Sequence, residues 1–155
     1  SARDMAKLFQ AMALKSSDLA LVIAAGEGYA SALMQNIVDT VIALDSDEAV
    51  VEDVGERLLS LGYDRIAYVS GDLKQGYPGE GPYDAILVNG MVEQVPDAWL
   101  KQLKPGGRLG VVVGTANRGQ ARIYTASENA VSYKSVFECV PPILAEFRAE
   151  PEFEF

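Results

Sequence analysis

The sequence contains no histidine and a single cysteine, Cys139. Without histidine, Ser-His-Asp and Cys-His nucleophilic constellations are excluded. With one cysteine, a zinc centre lacks its usual donors, and no metal site is expected. A lone cysteine also closes no intrachain disulfide, which fits a reducing, cytoplasmic compartment. Basic residues are scarce: 13 Lys and Arg stand against 22 Asp and Glu, for a net charge of −9. They form no run, and this balance disfavours broad contact with nucleic acid or an anionic membrane, where phosphate charge must be neutralised. No apolar stretch approaches the ~20 residues that span a bilayer. The N-terminus lacks the basic region and apolar core of a secretory signal, and it also lacks an initiator Met. The phosphate-binding pattern Gly-x-x-x-x-Gly-Lys-Ser/Thr is missing. There is no internal repeat and no linker. The 155 residues, 49% hydrophobic, are therefore expected to form one domain over 1–155 with a proper core.

What is present is organised around residues 19–31. The apolar run Leu19 to Ala24 ends in Ala25-Gly26-Glu27-Gly28, and helix formers follow. This is the outline of a buried strand, a tight turn and a helix start. Glycines allow positive φ and let a ligand approach the backbone. Small residues also occur at such turns simply to pack a helix against a strand. A second apolar run, Thr40 to Leu44, closes on Asp45, just under twenty residues beyond the glycines. A glycine turn with a carboxylate at about that distance suits a nucleotide-type cofactor, the carboxylate binding ribose hydroxyls.

The remaining chain alternates strands and helices. Met5, Leu8, Phe9 and Met12 stripe a helix over Arg3 to Leu14. Tyr29 to Gln35 begins a crossover helix, and Val38 to Leu44 is the second strand. Ser46-Asp47-Glu48 starts a helix whose apolar stripe is Val51, Val54, Leu58 and Leu61, with Gly62 as its stop. Arg65 to Val69 is a third strand opening onto Gly71-Asp72. Tyr83 to Val88 is a fourth, ending at Asn89-Gly90. Pro96 marks a helix start followed by Ala98, Trp99, Leu100 and Leu103. Lys104 to Arg108 reads as a turn, and Leu109 to Val113 as a fifth strand. This order predicts a parallel sheet with helices on both faces. Gln120 to Ala126 and Val131 to Val140 then alternate around Ser127-Glu128-Asn129, predicting an antiparallel hairpin. Pro141-Pro142 breaks regular structure, and the Glu-Phe tail to Phe155 reads as an edge strand.

In a doubly wound sheet, ligands bind beyond the carboxyl ends of the strands. Gly26 and Gly28, Asp45, Asp72 and Asn89 all fall there. Asp45 would hold a ribose diol and Asp72 would sit near an adenine amino group. A pyrophosphate disfavours negative charge at this turn, yet Glu27 sits between the glycines. That favours a nucleoside ligand without phosphate, such as S-adenosylmethionine. The glycine spacing and Asp45 are also compatible with a nicotinamide-dependent enzyme.

Leu61-Gly62-Tyr63-Asp64, Gly71-Asp72, Tyr83 to Val88, Gln102-Leu103-Lys104-Pro105-Gly106-Gly107-Arg108-Leu109 and Val112-Val113-Gly114 carry a closer likeness. Through them the chain resembles the protein-L-isoaspartate O-methyltransferase family of class I S-adenosylmethionine-dependent methyltransferases. The resemblance implies a Rossmann-like, doubly wound, seven-stranded and mostly parallel sheet ending in an antiparallel hairpin. It implies S-adenosylmethionine as cofactor, a protein or peptide substrate with isoaspartyl residues, and a role in protein repair. Ala25, Gly26 and Gly28 would form the cofactor loop, Asp45 with Ser46 the ribose side, and Gly71, Asp72 and Leu73 the adenine side. Asn89 would lie where the fourth strand opens onto the cofactor. The family's loop usually carries an acid and a further glycine where this chain has Val22 and Ala24. The isoaspartyl enzymes also carry a segment before this core that supplies substrate contacts and the catalytic residue. No catalytic residue is assigned to this chain, which is expected to be an N-terminally short relative. A catalytically impaired cofactor-binding or interaction module is the alternative.

Overall fold

The structure, a computed structural model, describes residues 2–115, 118–139 and 144. The break at Pro141-Pro142 and the edge strand expected in the tail lie outside the described residues. In chain order the elements are α1 (Ala2–Met12), β1 (Leu19–Ile23), α2 (Tyr29–Gln35), β2 (Thr40–Asp45), α3 (Glu48–Ser60), β3 (Ile66–Ser70), β4 (Tyr83–Val92), α4 (Asp97–Leu100), β5 (Leu103–Thr115), β6 (Arg118–Ala126) and β7 (Val131–Cys139). Short 3-10 turns cover Leu73–Gln75 and Pro78–Glu80.

The seven strands form one sheet in the order β3-β2-β1-β4-β5-β6-β7. Pairs from β3 through β5 are parallel, while β5-β6 and β6-β7 are antiparallel. The doubly wound, mostly parallel sheet and the β6-β7 hairpin are thus as the sequence led us to expect. The chain reverses between β2 and β4 around β1, so the topological switch point lies between β1 and β4.

Strand β1 is apolar at every position, and β2 and β4 are apolar through their middles, as suits strands covered on both faces. Ala20 and Val22 of β1, Val41 and Ala43 of β2, and Ala85 and Leu87 of β4 enter one layer with Met12 and Met34 of the helices. The alternate residues Leu21, Ile23, Ile42, Leu44, Ile86 and Val88 enter the other layer with Leu73, Tyr83 and Trp99. This is the period-2 pattern of a pleated strand. The first face carries α1 to α3. Among the described residues the second carries one four-residue helix, α4, and the 3-10 turns, so their helical cover is lopsided rather than even.

Asp47 caps α3, its side chain accepting the N–H groups of Ala49 at 2.9 Å and Val50 at 3.3 Å. Gly62, at φ 94°, ends that helix in a Schellman pattern: Gly62 N–H donates to Leu59 O and Tyr63 N–H to Leu58 O. Four details depart from the sequence expectation. Leu61 is 67% exposed, because it lies in the cap and not on the buried stripe. Pro96 caps α4 at the expected start, but Leu103 already belongs to β5 rather than to that helix. Lys104 to Arg108 is a bulged stretch inside β5, since Tyr83 pairs with Leu103 and Ala85 with Arg108. Asn89-Gly90 is a second irregularity, within β4, whose pairing with β5 shifts between Leu87 and Met91. Among the described residues no helix is long and apolar enough to cross a membrane.

Candidate functional site

The carboxyl edge of the sheet gathers most of the residues singled out by sequence. Beyond Ile23 the backbone enters the left-handed region at Ala24 (φ 64°), then at Gly26 (φ 53°) and Gly28 (φ 87°). Ala25 is buried; its N–H donates to Leu44 O at 3.0 Å, and Gly28 N–H donates to Ala25 O at 3.0 Å. Gly28 lies against α3, where an added Cβ would stand 2.8 Å from Leu58 Cδ1. Gly26 differs: its nearest such contact is Ala24 O at 4.0 Å, so the space over that part of the loop is open.

Asp45, at the end of β2, accepts the Gly26 N–H on Oδ2 at 2.8 Å and the Asp47 N–H on Oδ1 at 3.3 Å. Its backbone oxygen accepts Gly71 N–H at 3.1 Å, which brings the end of β3 to the same edge. Asn89 donates from Nδ2 to Ala24 O at 3.3 Å, linking β4 to the loop across the switch point. Asn89 also lines a cavity of about 70 Å³ with Met5, Leu8, Leu87, Val112 and Phe137. Ser46 is exposed beside Asp45.

The third strand's motif divides. Asp72 is exposed and caps the 3-10 turn, its Oδ1 accepting Lys74 N–H at 3.0 Å. Leu73 turns inward to 4% exposure, and its carbonyl accepts the Trp99 indole N–H at 2.8 Å. Asp72 thus stands at the edge while Leu73 belongs to the apolar layer beneath it.

The sequence reading missed Tyr68. It lies on β3, opposite Ala43 of β2, and its hydroxyl donates to Gly26 O. Burial, then the nearby Asp45 and Glu27 carboxylates, push that hydroxyl above the usual tyrosine range, so it remains a donor throughout the physiological range. Only the register of β2 against β3 brings it near the loop, and a tyrosine in an apolar strand carries no sign of that.

These groups suit an adenosine-bearing ligand. A carboxylate offers about four acceptor positions, and two backbone N–H groups use only part of that capacity at Asp45. The open face of Gly26 gives the ligand room beside it. Val22, which stands where the family usually carries an acid, is fully buried among apolar neighbours and offers no charge.

Ala24 makes the loop costlier than it need be. An L-residue in the left-handed region costs about 1–2 kcal/mol, and glycine gives back about 0.4–1 kcal/mol through the unfolded chain. Ala24→Gly is therefore expected to stabilise the fold by about 0.5–1 kcal/mol in urea denaturation. A destabilised variant would contradict the backbone conformation assigned to Ala24.

A sheet reversing around β1, a glycine loop on its carboxyl edge and an acid closing the neighbouring strand are common to doubly wound nucleotide-binding folds; with the antiparallel β6-β7 end they make up the class I S-adenosylmethionine-dependent methyltransferase fold. The family model of protein-L-isoaspartate(D-aspartate) O-methyltransferase matches residues 1–141, and the chain belongs to that family. It is 37% identical over 146 residues to protein-L-isoaspartate O-methyltransferase 2 of Pelobacter propionicus, covering 92% of this chain and 65% of that one. A solved protein-L-isoaspartate O-methyltransferase structure covers 93% of this chain and 47% of its own, at 26% identity and a TM-score of 0.85. A Plasmodium falciparum structure solved in complex with S-adenosyl-L-homocysteine covers 94% of this chain and 71% of its own, with a TM-score of 0.67. At 18% identity that likeness is one of fold. The chain spans about half to two thirds of the length of the first curated relatives it matches, from 47% to 65%.

Proposed function

We propose that the chain is an S-adenosylmethionine-dependent O-methyltransferase domain that methylates the isoaspartyl carboxylate of damaged proteins in the cytoplasm. The observation that carries this reading is the Asp45 carboxylate bound to Gly26 N–H at 2.8 Å beneath an open loop face. Family membership supports the methyl acceptor.

Asp45 would accept hydrogen bonds from the ribose hydroxyls on the capacity left free by Gly26 and Asp47. Gly26 would lie under the ligand, and Asp72 would stand on the adenine side. Asn89, held toward Ala24 and bordering the cavity, would face the reacting end. When bound, S-adenosylmethionine supplies a methyl group on a sulfonium that leaves readily. What this chain contributes is mainly positioning. An aspartyl-type carboxylate, with a pKa of about 4, is ionised at neutral pH and needs no general base. The absence of histidine agrees with such an acceptor.

The test is calorimetric titration with S-adenosylhomocysteine, followed by transfer of labelled methyl to an isoaspartyl peptide and to its aspartyl twin. Binding, with label on the isoaspartyl peptide alone, is the expected result. No heat at millimolar ligand would remove the reading. Binding without transfer would favour the second reading, a cofactor-binding module that does not turn over. The buried, uncharged Val22 is the observation behind that alternative.

A further inference from the structure

We infer that Tyr68 is a positioning residue, its hydroxyl holding the Gly26 carbonyl so that the 24–28 loop stays open toward the ligand. The loop needs outside support. Its own strand offers none, because Val22 and Ile23 are fully buried in opposite apolar layers. Its first residue, Ala24, sits in a backbone region that L-residues avoid. Among the described residues, side-chain hydrogen bonds reach the loop backbone from three neighbouring strands: Asp45 of β2 at Gly26 N–H, Tyr68 of β3 at Gly26 O, and Asn89 of β4 at Ala24 O.

Asp45 and Tyr68 therefore grip Gly26 from its two polar sides, N–H and C=O. Asp45 is also the group expected to serve the ligand, whereas Tyr68 is spent on the loop alone. The Glu27–Arg57 ion pair is a weaker tie. It is 3.5 Å long between side chains 80% and 51% exposed, and such pairs contribute little. Helix α3 passes close to the base of the Tyr68 side chain, since an added Cβ on Gly55 would lie 3.3 Å from Tyr68 Cβ and 4.0 Å from its Cγ. The same helix packs Leu58 and Val54 against Gly28. Helix α3 and strand β3 thus form an outer brace for the loop. The inference leans on the proposed cofactor for what the loop holds, but not for how the loop is held.

The experiment is amide hydrogen exchange on the unliganded full chain, comparing the parent with Tyr68→Phe, which keeps the ring and removes the hydroxyl. Ala25, Gly26 and Gly28 report the loop, and Leu21 to Ile23 report the sheet as internal reference. Loop amides are expected to exchange roughly three- to tenfold faster relative to β1, the range for one net hydrogen bond. Adding Ala24→Gly to Tyr68→Phe should return that ratio to within about twofold of the parent, since glycine takes the left-handed conformation without strain. An unchanged ratio, or loop and β1 amides accelerating together without rescue, would overturn the inference. S-adenosylhomocysteine titration of the same proteins judges the cofactor reading separately: no binding by the parent removes that reading, while the exchange ratio still decides the role of Tyr68.

Discussion

Trp99→Ala is expected to destabilise the protein by about 3–5 kcal/mol, a large part of the ~5–15 kcal/mol that holds a domain of this kind together. Trp99 has no exposed surface and packs in the same layer as Leu73, Tyr83 and Leu103. Its indole N–H satisfies the Leu73 carbonyl at 2.8 Å. The helix that carries it has four residues, too few to persist in isolation. The tryptophan thus anchors α4 to the sheet and fixes the 3-10 turn that begins at Leu73. Truncation leaves a cavity and removes one of the two bonds to the Leu73 carbonyl, which keeps only the Gly76 N–H at 3.2 Å. Circular dichroism in urea is the appropriate measurement, because Trp99 is the sole tryptophan and its fluorescence disappears with it. Trp99→Phe should fall between parent and alanine variant. A loss below about 1 kcal/mol for Trp99→Ala would show that this face tolerates collapse and that the anchoring role is wrong.

Asp45→Ala is expected to weaken S-adenosylhomocysteine binding about 100-fold. Hydrogen bonds to a charged group are worth about 1.5–3 kcal/mol each. The substitution removes the proposed ribose acceptor and also frees the Gly26 and Asp47 N–H groups that the carboxylate now satisfies. Asp45→Asn keeps one carbonyl oxygen for Gly26 but loses the charge, so a loss nearer tenfold is expected. Calorimetry on the three proteins gives the order directly. If Asp45→Ala bound within threefold of the parent, the ligand would not be resting on this edge of β2.

The architecture was legible because it is written in local patterns. Apolar runs such as Leu19 to Ile23 and Val41 to Leu44, short and closed by a glycine turn or an acid, suit strands covered on both faces. Asp47 and Gly62 mark the ends of α3 by cap chemistry alone. The glycine turn and Asp45 were legible for the same reason, each closing its own strand. Leu61 misled because it continues the helical spacing one residue into the cap. The stretch from Lys104 to Arg108 misled because Pro-Gly-Gly signals a turn and a bulge alike, and only pairing with Tyr83 and Ala85 decides between them. Tyr68 was invisible because its partner is a backbone carbonyl 42 residues away. Such a contact depends on the sheet register, which no local pattern encodes. Leu73 was read on the adenine side from its motif; that its side chain is buried was not legible, because the layer that covers it is assembled from β4, β5 and α4.

The strand order also has a consequence for how the chain comes together. Strand β1 meets β2 soon after it is made, and the Gly26–Asp45 bond spans only 19 residues. Its other neighbour arrives much later: Leu19 N–H finds the Asp84 carboxylate across 65 residues, and β4 must exist before the centre of the sheet can close. Closing a longer loop costs more chain entropy, and topologies rich in distant pairings fold slowly. During synthesis, β1 to β3 can pair while one edge of β1 stays bare, an apolar strand with its peptide groups unmatched. A bare apolar edge of that kind is prone to pair with other copies of the chain.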